Sequence, residues 1–142
     1  MKAFLKDAKI VNKQGETVSA EDLSRNKLVG FYFSAHWCGP CRNFTPKLVE
    51  FYNKLKETGK EFEVVFCSSD QDEAAWKSYW GEMPWPSMVH GDKRIGELKK
   101  DFGVSGIPWL AVCDNSGKLI VNEADEEVPQ GVGCYDKWVA KL

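Results

Sequence analysis

Residues 28–41 read Leu28-Val29-Gly30-Phe31-Tyr32-Phe33-Ser34-Ala35-His36-Trp37-Cys38-Gly39-Pro40-Cys41, and this stretch decides the architecture. Its first seven residues form a continuous apolar run rich in aromatics, the pattern of a strand buried on both faces, as in a parallel sheet. From Cys38 the period changes. Phe44, Leu48, Phe51 and Leu55 follow at intervals of four, three and four, which is one face of a helix. Pro46 lies inside that helix and predicts a kink, and Thr58-Gly59 ends it. A buried strand therefore hands over to a helix at Trp37-Cys38-Gly39-Pro40-Cys41.

Outward from there, Phe62–Ser68 (FEVVFCS) reads as a second buried strand. Asp70 and Glu73 have the spacing of a reciprocal helix cap, which opens a helix over Ala74–Trp80. Met83-Pro84-Trp85-Pro86 is irregular, because two prolines remove donors and fix the backbone. Ile95, Leu98 and Phe102 mark a further helix, and Trp109–Cys113 a third buried strand. The turn Asp114-Asn115-Ser116-Gly117 then returns Leu119–Val121 antiparallel. On the N-terminal side, Ala8–Val11 and Glu16–Ser19 read as a hairpin around Lys13-Gln14-Gly15, spanning residues 8–19. The tail, residues 122–142, opens acidic with Glu123, Asp125, Glu126 and Glu127. It closes with Tyr135, Trp138, Val139 and Leu142 on a short amphipathic helix. The expected fold class is α/β, a central mixed sheet flanked by helices on both faces, in a single domain over residues 1–142.

Composition narrows the function classes. The 142 residues carry 19 Lys and Arg against 21 Asp and Glu, a formal charge of −2, without the basic surplus of a nucleic-acid binder. An apolar share of 43%, with 6 Trp, 8 Phe and 4 Tyr, supports a packed core and argues against disorder. The most apolar segment, Leu28–Ala35, is far shorter than the roughly 20 residues of a membrane span. The N-terminus has no apolar stretch of signal-peptide type. The expectation is a soluble cytoplasmic monomer with neither membrane nor nucleic-acid partner. Five cysteines are an odd number, so their spacing is read for catalysis or metal rather than for a disulfide scaffold.

The chemistry concentrates at the strand–helix junction. Cys38 falls at a helix N-terminus, where unpaired N–H groups and the dipole favour an anion, here a thiolate. Cys41 is one turn on, close enough for an S–S bond to close without moving the backbone. Gly39 and Pro40 suit the first turn, where a missing N–H has no partner to lose. The mechanism follows: Cys38 attacks a substrate disulfide, and Cys41 resolves the mixed disulfide. A Cys-x-x-Cys pair also occurs in zinc sites, but zinc takes four ligands. This sequence has no second such pair and no spaced His pair, only His36 and His90. No metal and no cofactor are expected beyond the redox-active Cys38–Cys41 disulfide. No phosphate loop or dinucleotide fingerprint is present, so electrons arrive from an upstream reductase or a low-molecular-weight thiol.

Trp-Cys-Gly-Pro-Cys after a strand, Pro46 in the helix, and Gly106-Ile107-Pro108 before a later strand together resemble the thioredoxin superfamily. The fuller run Tyr32–Cys38, the triplet Phe44-Thr45-Pro46 and the block from Trp76 through Tyr79-Trp80 to Met83-Pro84-Trp85 resemble its nucleoredoxin and tryparedoxin branch. The likeness covers residues 9–121. That branch usually has two prolines between its cysteines, where this chain has Gly39-Pro40. The resemblance implies a thioredoxin-like fold and a protein-disulfide reductase. As alternatives it implies a redox-dependent signalling partner of nucleoredoxin type, or a tryparedoxin-like electron carrier to a peroxidase. It also implies that Pro108 is cis and faces the cysteine pair, leaving the Ile107 backbone free to pair with a disulfide-containing protein. The nucleus becomes a second expected location.

Proton transfer is the open question at sequence level. Thioredoxins resemble one another in placing a buried acid six residues before the first cysteine, where this chain has Tyr32. Asp70 is the candidate proton acceptor, with water as the alternative and a helix cap as its ordinary role. Trp37 reads as a substrate contact that shields the thiolate. His36 reads as a half-exposed neighbour and Arg42 as a solvated helix cation. Trp76, Tyr79, Trp80, Trp85 and Trp109 read as core. Cys67 and Cys113 read as inert core thiols, and Cys134 as an exposed tail thiol open to intermolecular pairing or glutathione. Lys93, Arg94, Lys99 and Lys100 read as a solvated helix face. Asn43-Phe44-Thr45 matches a glycosylation acceptor by chance.

Overall fold

In the computed structural model, which describes residues 1–142, every residue of the strand Leu28–Ser34 (β2) is buried and both its edges are paired. On one side Phe62–Ser68 (β3) runs parallel, from Leu28 opposite Phe62 to Ser34 opposite Ser68. On the other, Trp109–Asp114 (β5) runs antiparallel, from Leu28 opposite Asp114 to Phe33 opposite Trp109. Two short outer strands, Ile10–Val11 (β1) and Ser87–Met88 (β4), extend the sheet beyond β3. Leu119–Val121 (β6) extends it beyond β5. The order is β1-β4-β3-β2-β5-β6, mixed as expected.

Side chains alternate across a strand, so a sheet buried on both faces sorts its residues into two cores. Leu28 and Tyr32 join Phe62, Val64, Phe66, Leu110 and Val112 in one core. Val29, Phe31 and Phe33 join Val65, Cys67, Trp109, Ala111 and Cys113 in the other. The first core is covered by Gly39–Glu57 (α3), Glu73–Trp80 (α4) and Gly133–Val139 (α6). The second is covered by Lys2–Leu5 (α1), Ala20–Ser24 (α2) and Lys93–Phe102 (α5). Gly30 is small for a packing reason: a Cβ there would lie 3.0 Å from a Leu110 methyl. The turn into β6 is fixed by Asp114, whose Oδ1 accepts from the Ser116 and Lys118 N–H groups at 2.9 and 3.0 Å. Gly117 supplies the positive φ that the turn needs.

Several local expectations give way to tertiary contacts. The N-terminal hairpin shrinks to a turn, with a single bridge between Val11 and Thr17, because β1 pairs with β4 instead. Ser19 leaves the expected second arm to cap α2, accepting from Asp22 N–H. The cap of α4 is Asp72, bonded to Ala75 N–H at 2.7 Å, and not Asp70. The acidic tail is tied down: two short 3-10 turns, Ala124–Glu126 and Val128–Gln130, follow β6. Asp125 accepts the Leu110 N–H at 2.9 Å on the edge of β5. Cys134 is buried, since it shares the inward face of α6 with Trp138, four residues on. Burial pushes its thiol up to about 11, so an exposed reactive tail cysteine is corrected to a core one.

Arg94 is the largest departure. Its side chain is 4% exposed, not solvated with Lys93 and Lys100. Its Nε and Nη2 donate to the Phe4 carbonyl at 3.0 and 2.7 Å. Its Nη1 donates to Glu97 and Asp101 at 3.1 and 3.3 Å. The physical reason is that a helix leaves its last carbonyls without partners, and Phe4 stands in the last turn of α1. The guanidinium also lies over the Phe4 ring. Arg94→Ala is therefore expected to destabilise the fold by about 2 kcal/mol. Lys100→Ala, on the exposed face, should change stability by less than about 0.5 kcal/mol. Thermal unfolding followed by circular dichroism checks both.

Candidate active site

Three chain segments meet at the C-terminal ends of β2 and β3: the start of α3, the loop after β3, and the loop that enters β5. Cys38 is the N-cap of α3, in extended backbone, and its sulfur accepts the Cys41 N–H at 3.3 Å. That bond is the capping interaction usually made by a Ser or Asp oxygen. Pro40 sits in the first turn as expected. The Cys38 Sγ also lies 3.8 Å from the Ile107 carbonyl oxygen, to which the thiol donates. The Ile107–Pro108 peptide bond is cis. Ala35, Cys38 and Cys41 form a small apolar cluster of their own, with Ile107 packed against it.

The two sulfurs differ in setting. Cys38 keeps a sliver of exposure, at 7%, whereas Cys41 has none. Burial, then the adjacent Cys38, push the Cys41 thiol up to about 11, with the Ser34 hydroxyl pulling the other way. Cys67 and Cys113 are buried core thiols held neutral by burial, as expected.

Trp37 is 63% exposed, while its indole N–H donates to the Ser69 carbonyl at 3.2 Å. That bond holds a large aromatic surface upright beside the sulfur. Two hollows flank it. One, about 230 Å³, is lined by Ser69, Lys99, Val104, Ser105, Gly106 and Ile107. The other, about 410 Å³, is lined by His36, Arg42, Asp70, Gln71, Asp72 and Ala75. The Lys99 ammonium donates to the Ser69 hydroxyl. Arg42 is exposed, and His36 is half-buried with its ring stacked on Tyr79 at 5.5 Å.

Asp70 is buried and braces the two loops. Its Oδ1 accepts the His36 N–H and its Oδ2 accepts the Ser68 hydroxyl, both at 2.8 Å. The His90 ring bonds its carbonyl oxygen at 2.8 Å. No hydrogen bond joins Asp70 to Cys41. Trp76, Tyr79, Trp85 and Trp109 are buried and Trp80 half-buried, which fits the core reading.

Sequence reasoning missed a row of hydroxyls beneath Cys41. Ser34, Tyr79, Thr45 and Tyr32 are all buried and linked in that order, at 2.7, 2.6 and 2.7 Å. Two signals could have found it. Ser34 is a lone polar side chain ending an otherwise apolar strand, and Thr45 lies four residues after Cys41 on the same helix face. No group of three or more His, Cys, Asp or Glu side chains is gathered to hold a metal ion. No helix is long and apolar enough to cross a membrane.

Comparison with known proteins agrees with this geometry. A family model described as thioredoxin-like matches residues 26–119. A probable nucleoredoxin 1 of Arabidopsis thaliana is 44% identical over 127 residues, which is 89% of this chain and 22% of the plant protein. The chain thus spans under a quarter of that relative's length. A tryparedoxin of Trypanosoma brucei brucei is 42% identical over 84% of this chain and 82% of its own. A solved tryparedoxin II in complex with glutathionylspermidine superposes with a TM-score of 0.84 and 34% identity, covering 95% of this chain and 94% of that one.

Alkylation should separate the two sulfurs. In the reduced protein near neutral pH, Cys38 is expected to label well before Cys41. A thiol raised to about 11 stays neutral until the pH climbs towards that value, so Cys41 labelling should grow steadily with pH. Cys67, Cys113 and Cys134 should label only on unfolding. Mass mapping of alkylated peptides reads all five sites.

Proposed function

This chain belongs to the thioredoxin-like family, on its nucleoredoxin and tryparedoxin branch of thiol–disulfide oxidoreductases, and from that premise we propose that it reduces protein disulfides through Cys38 and Cys41. The observation that carries the reading is the contact between them, a sulfur capping a helix and accepting the N–H of the second cysteine at 3.3 Å. A thiolate at Cys38 gains from that N–H and from the helix N-terminus, so Cys38 is the nucleophile. It attacks one sulfur of the substrate disulfide and expels the other, leaving a mixed disulfide. Cys41 then attacks the Cys38 sulfur and releases the second substrate thiol.

The surroundings suit a polypeptide substrate. Trp37 offers an exposed flat face next to the sulfur, and the Ile107 backbone beside Pro108 offers an edge for an extended segment. Return of the Cys38–Cys41 disulfide to the dithiol needs an upstream reductase or a low-molecular-weight thiol. A similar tryparedoxin has been solved with glutathionylspermidine, which supports a small thiol as the donor here. The chemistry fits the cytoplasm or nucleus, where such a pair is kept turning over.

Insulin reduction with a small dithiol as donor tests the activity. Wild type should turn over many equivalents, and Cys38→Ser should fall to the uncatalysed rate. Without the donor, Cys41→Ser should stop at a one-to-one mixed disulfide that added thiol releases. Capture of one client in equal amount by wild type, with no turnover, would instead favour a redox-dependent binding partner.

A further inference from the structure

The two hollows beside Trp37 differ in charge. The one towards α4 holds His36 and Arg42 but also Asp70 and Asp72. The one towards α5 is lined by Ser69, Lys99 and the loop Val104–Ile107, and Lys99 is its one charged side chain. This second hollow adjoins the reacting sulfur through Ile107, whose carbonyl oxygen lies 3.8 Å from Cys38 Sγ.

In the sequence nothing separates Lys99 from Lys93 and Lys100. The end of α5 does. Gly103 takes the left-handed conformation, with φ at 68°, and folds the chain back over the last turn. Its N–H donates to the Lys100 carbonyl at 3.1 Å, and the Val104 N–H donates to the Lys99 carbonyl at 2.8 Å. This pair of bonds closes the helix and fixes the loop that runs on to Ile107 against the backbone of Lys99. Lys93 and Lys100 are exposed and line no part of the hollow.

The Lys99 side chain is half-buried, and its ammonium donates to the Ser69 hydroxyl. Ser69 is itself anchored. Its N–H donates to the Ser34 carbonyl at the end of β2, at 3.0 Å, and its carbonyl accepts the Trp37 indole N–H at 3.2 Å. One residue therefore positions both the aromatic wall and the cation of the hollow. An ammonium has three N–H donors, and Ser69 takes one. No carboxylate stands within ion-pair distance of Lys99. The acids of α5 and the neighbouring loops are engaged elsewhere. Glu97 and Asp101 accept from the Arg94 guanidinium, Asp92 from the Lys9 and Arg94 N–H groups, and Asp70 from the His36 N–H and the Ser68 hydroxyl. Two ammonium donors thus remain for an occupant of the hollow.

We propose that Lys99 is a specificity residue that selects polypeptide disulfides flanked by acidic side chains. A segment laid in extended form along Ile107 brings its cysteine to Cys38 and carries the adjoining residues past the hollow, since successive Cα atoms are about 3.8 Å apart. A glutamate next to that cysteine offers the ammonium a carboxylate. Glutamine offers no charge, and lysine is repelled. The covalent step is the one already described: the Cys38 thiolate bonds to the substrate sulfur, and the second substrate sulfur leaves with the electron pair.

This assignment rests on the dithiol reading, and one experiment separates the two. Three capped peptides carry a single cysteine flanked on both sides by glutamate, glutamine or lysine, activated as a mixed disulfide with an uncharged nitropyridine thiol. Attack by Cys38 on the peptide sulfur releases the coloured thiol, whose appearance gives the rate. Each rate is divided by that of the same peptide with mercaptoethanol, which removes the peptide's own reactivity. Wild type in roughly 10 mM salt should prefer the glutamate peptide to the glutamine one about fourfold, the worth of a half-exposed ion pair, with the lysine peptide slowest. In about 1 M salt, where screening acts within ~3 Å, the preference should fall towards unity. Lys99→Met should abolish it, Lys99→Arg should retain it, and Lys100→Met should match wild type. Equal rates for the three peptides in wild type, a preference that survives Lys99→Met, equal slowing of all three in Lys99→Met, or equal loss of preference in Lys100→Met would overturn the proposal and leave the dithiol reading standing. Wild type that releases no colour, or Cys38→Ser that releases it as fast, would overturn the dithiol reading and this proposal with it.

Discussion

The site depends on β2 being hydrogen-bonded along both edges and buried on both faces. A strand held that way cannot shift register without exposing a whole set of side chains, so its end is a fixed point. Four residues, 35–38, separate that end from α3, and the turn they make leaves Cys38 as the helix cap. The capping role is what sets sulfur against N–H. It is a consequence of where the strand stops, and the chemistry follows from it.

The same burial creates a cost that the structure meets with neutral groups. Charged groups are excluded from the first core beneath the site, and four hydroxyls stand there in their place. Hydroxyls can be fully bonded in an apolar core, because each offers both a donor and an acceptor. A carboxylate in the same place would be acceptor-only and would have to be desolvated. The one buried carboxylate near the site, Asp70, lies at the loop ends, where backbone N–H and Ser68 hydroxyl groups are within reach. There it ties the turn before Cys38 to the loop after β3. The fold thus gives its acid an architectural place and gives Cys41 a neutral surrounding.

Periodicity made much of the frame legible. An apolar run closed by Ser34, a change to helical spacing at Cys38, and a Cys pair one turn apart are all local patterns. They identified β2, α3 and the paired sulfurs without reference to distant residues. The failures share a different character. Arg94 read as solvated because its helix alternates with lysines, yet its partner is a carbonyl 90 residues away. Cys134 read as exposed because glycines flank it, yet α6 turns that face onto the core. β4 is two residues long and exists because β1 and β3 offer it edges. Asp70 has the cap spacing with Glu73, yet the bond to the first turn of α4 is made by Asp72, because Asp70 is drawn to the His36 N–H and the Ser68 hydroxyl.

The sequence by itself determined what is set within one turn or one strand: which segments form, which face of each is apolar, and that Cys38 and Cys41 are neighbours. These follow from backbone periods of 2.0 and 3.6, which act over a few residues. Tertiary structure alone decided which polar groups meet. Ser34, Thr45, Tyr79 and Tyr32 come from a strand and two helices, and Trp37 is held by Ser69 from another strand's end. A buried polar atom takes whatever partner packing brings within about 3 Å. That choice is made by the assembled layers, long after local pattern has had its say.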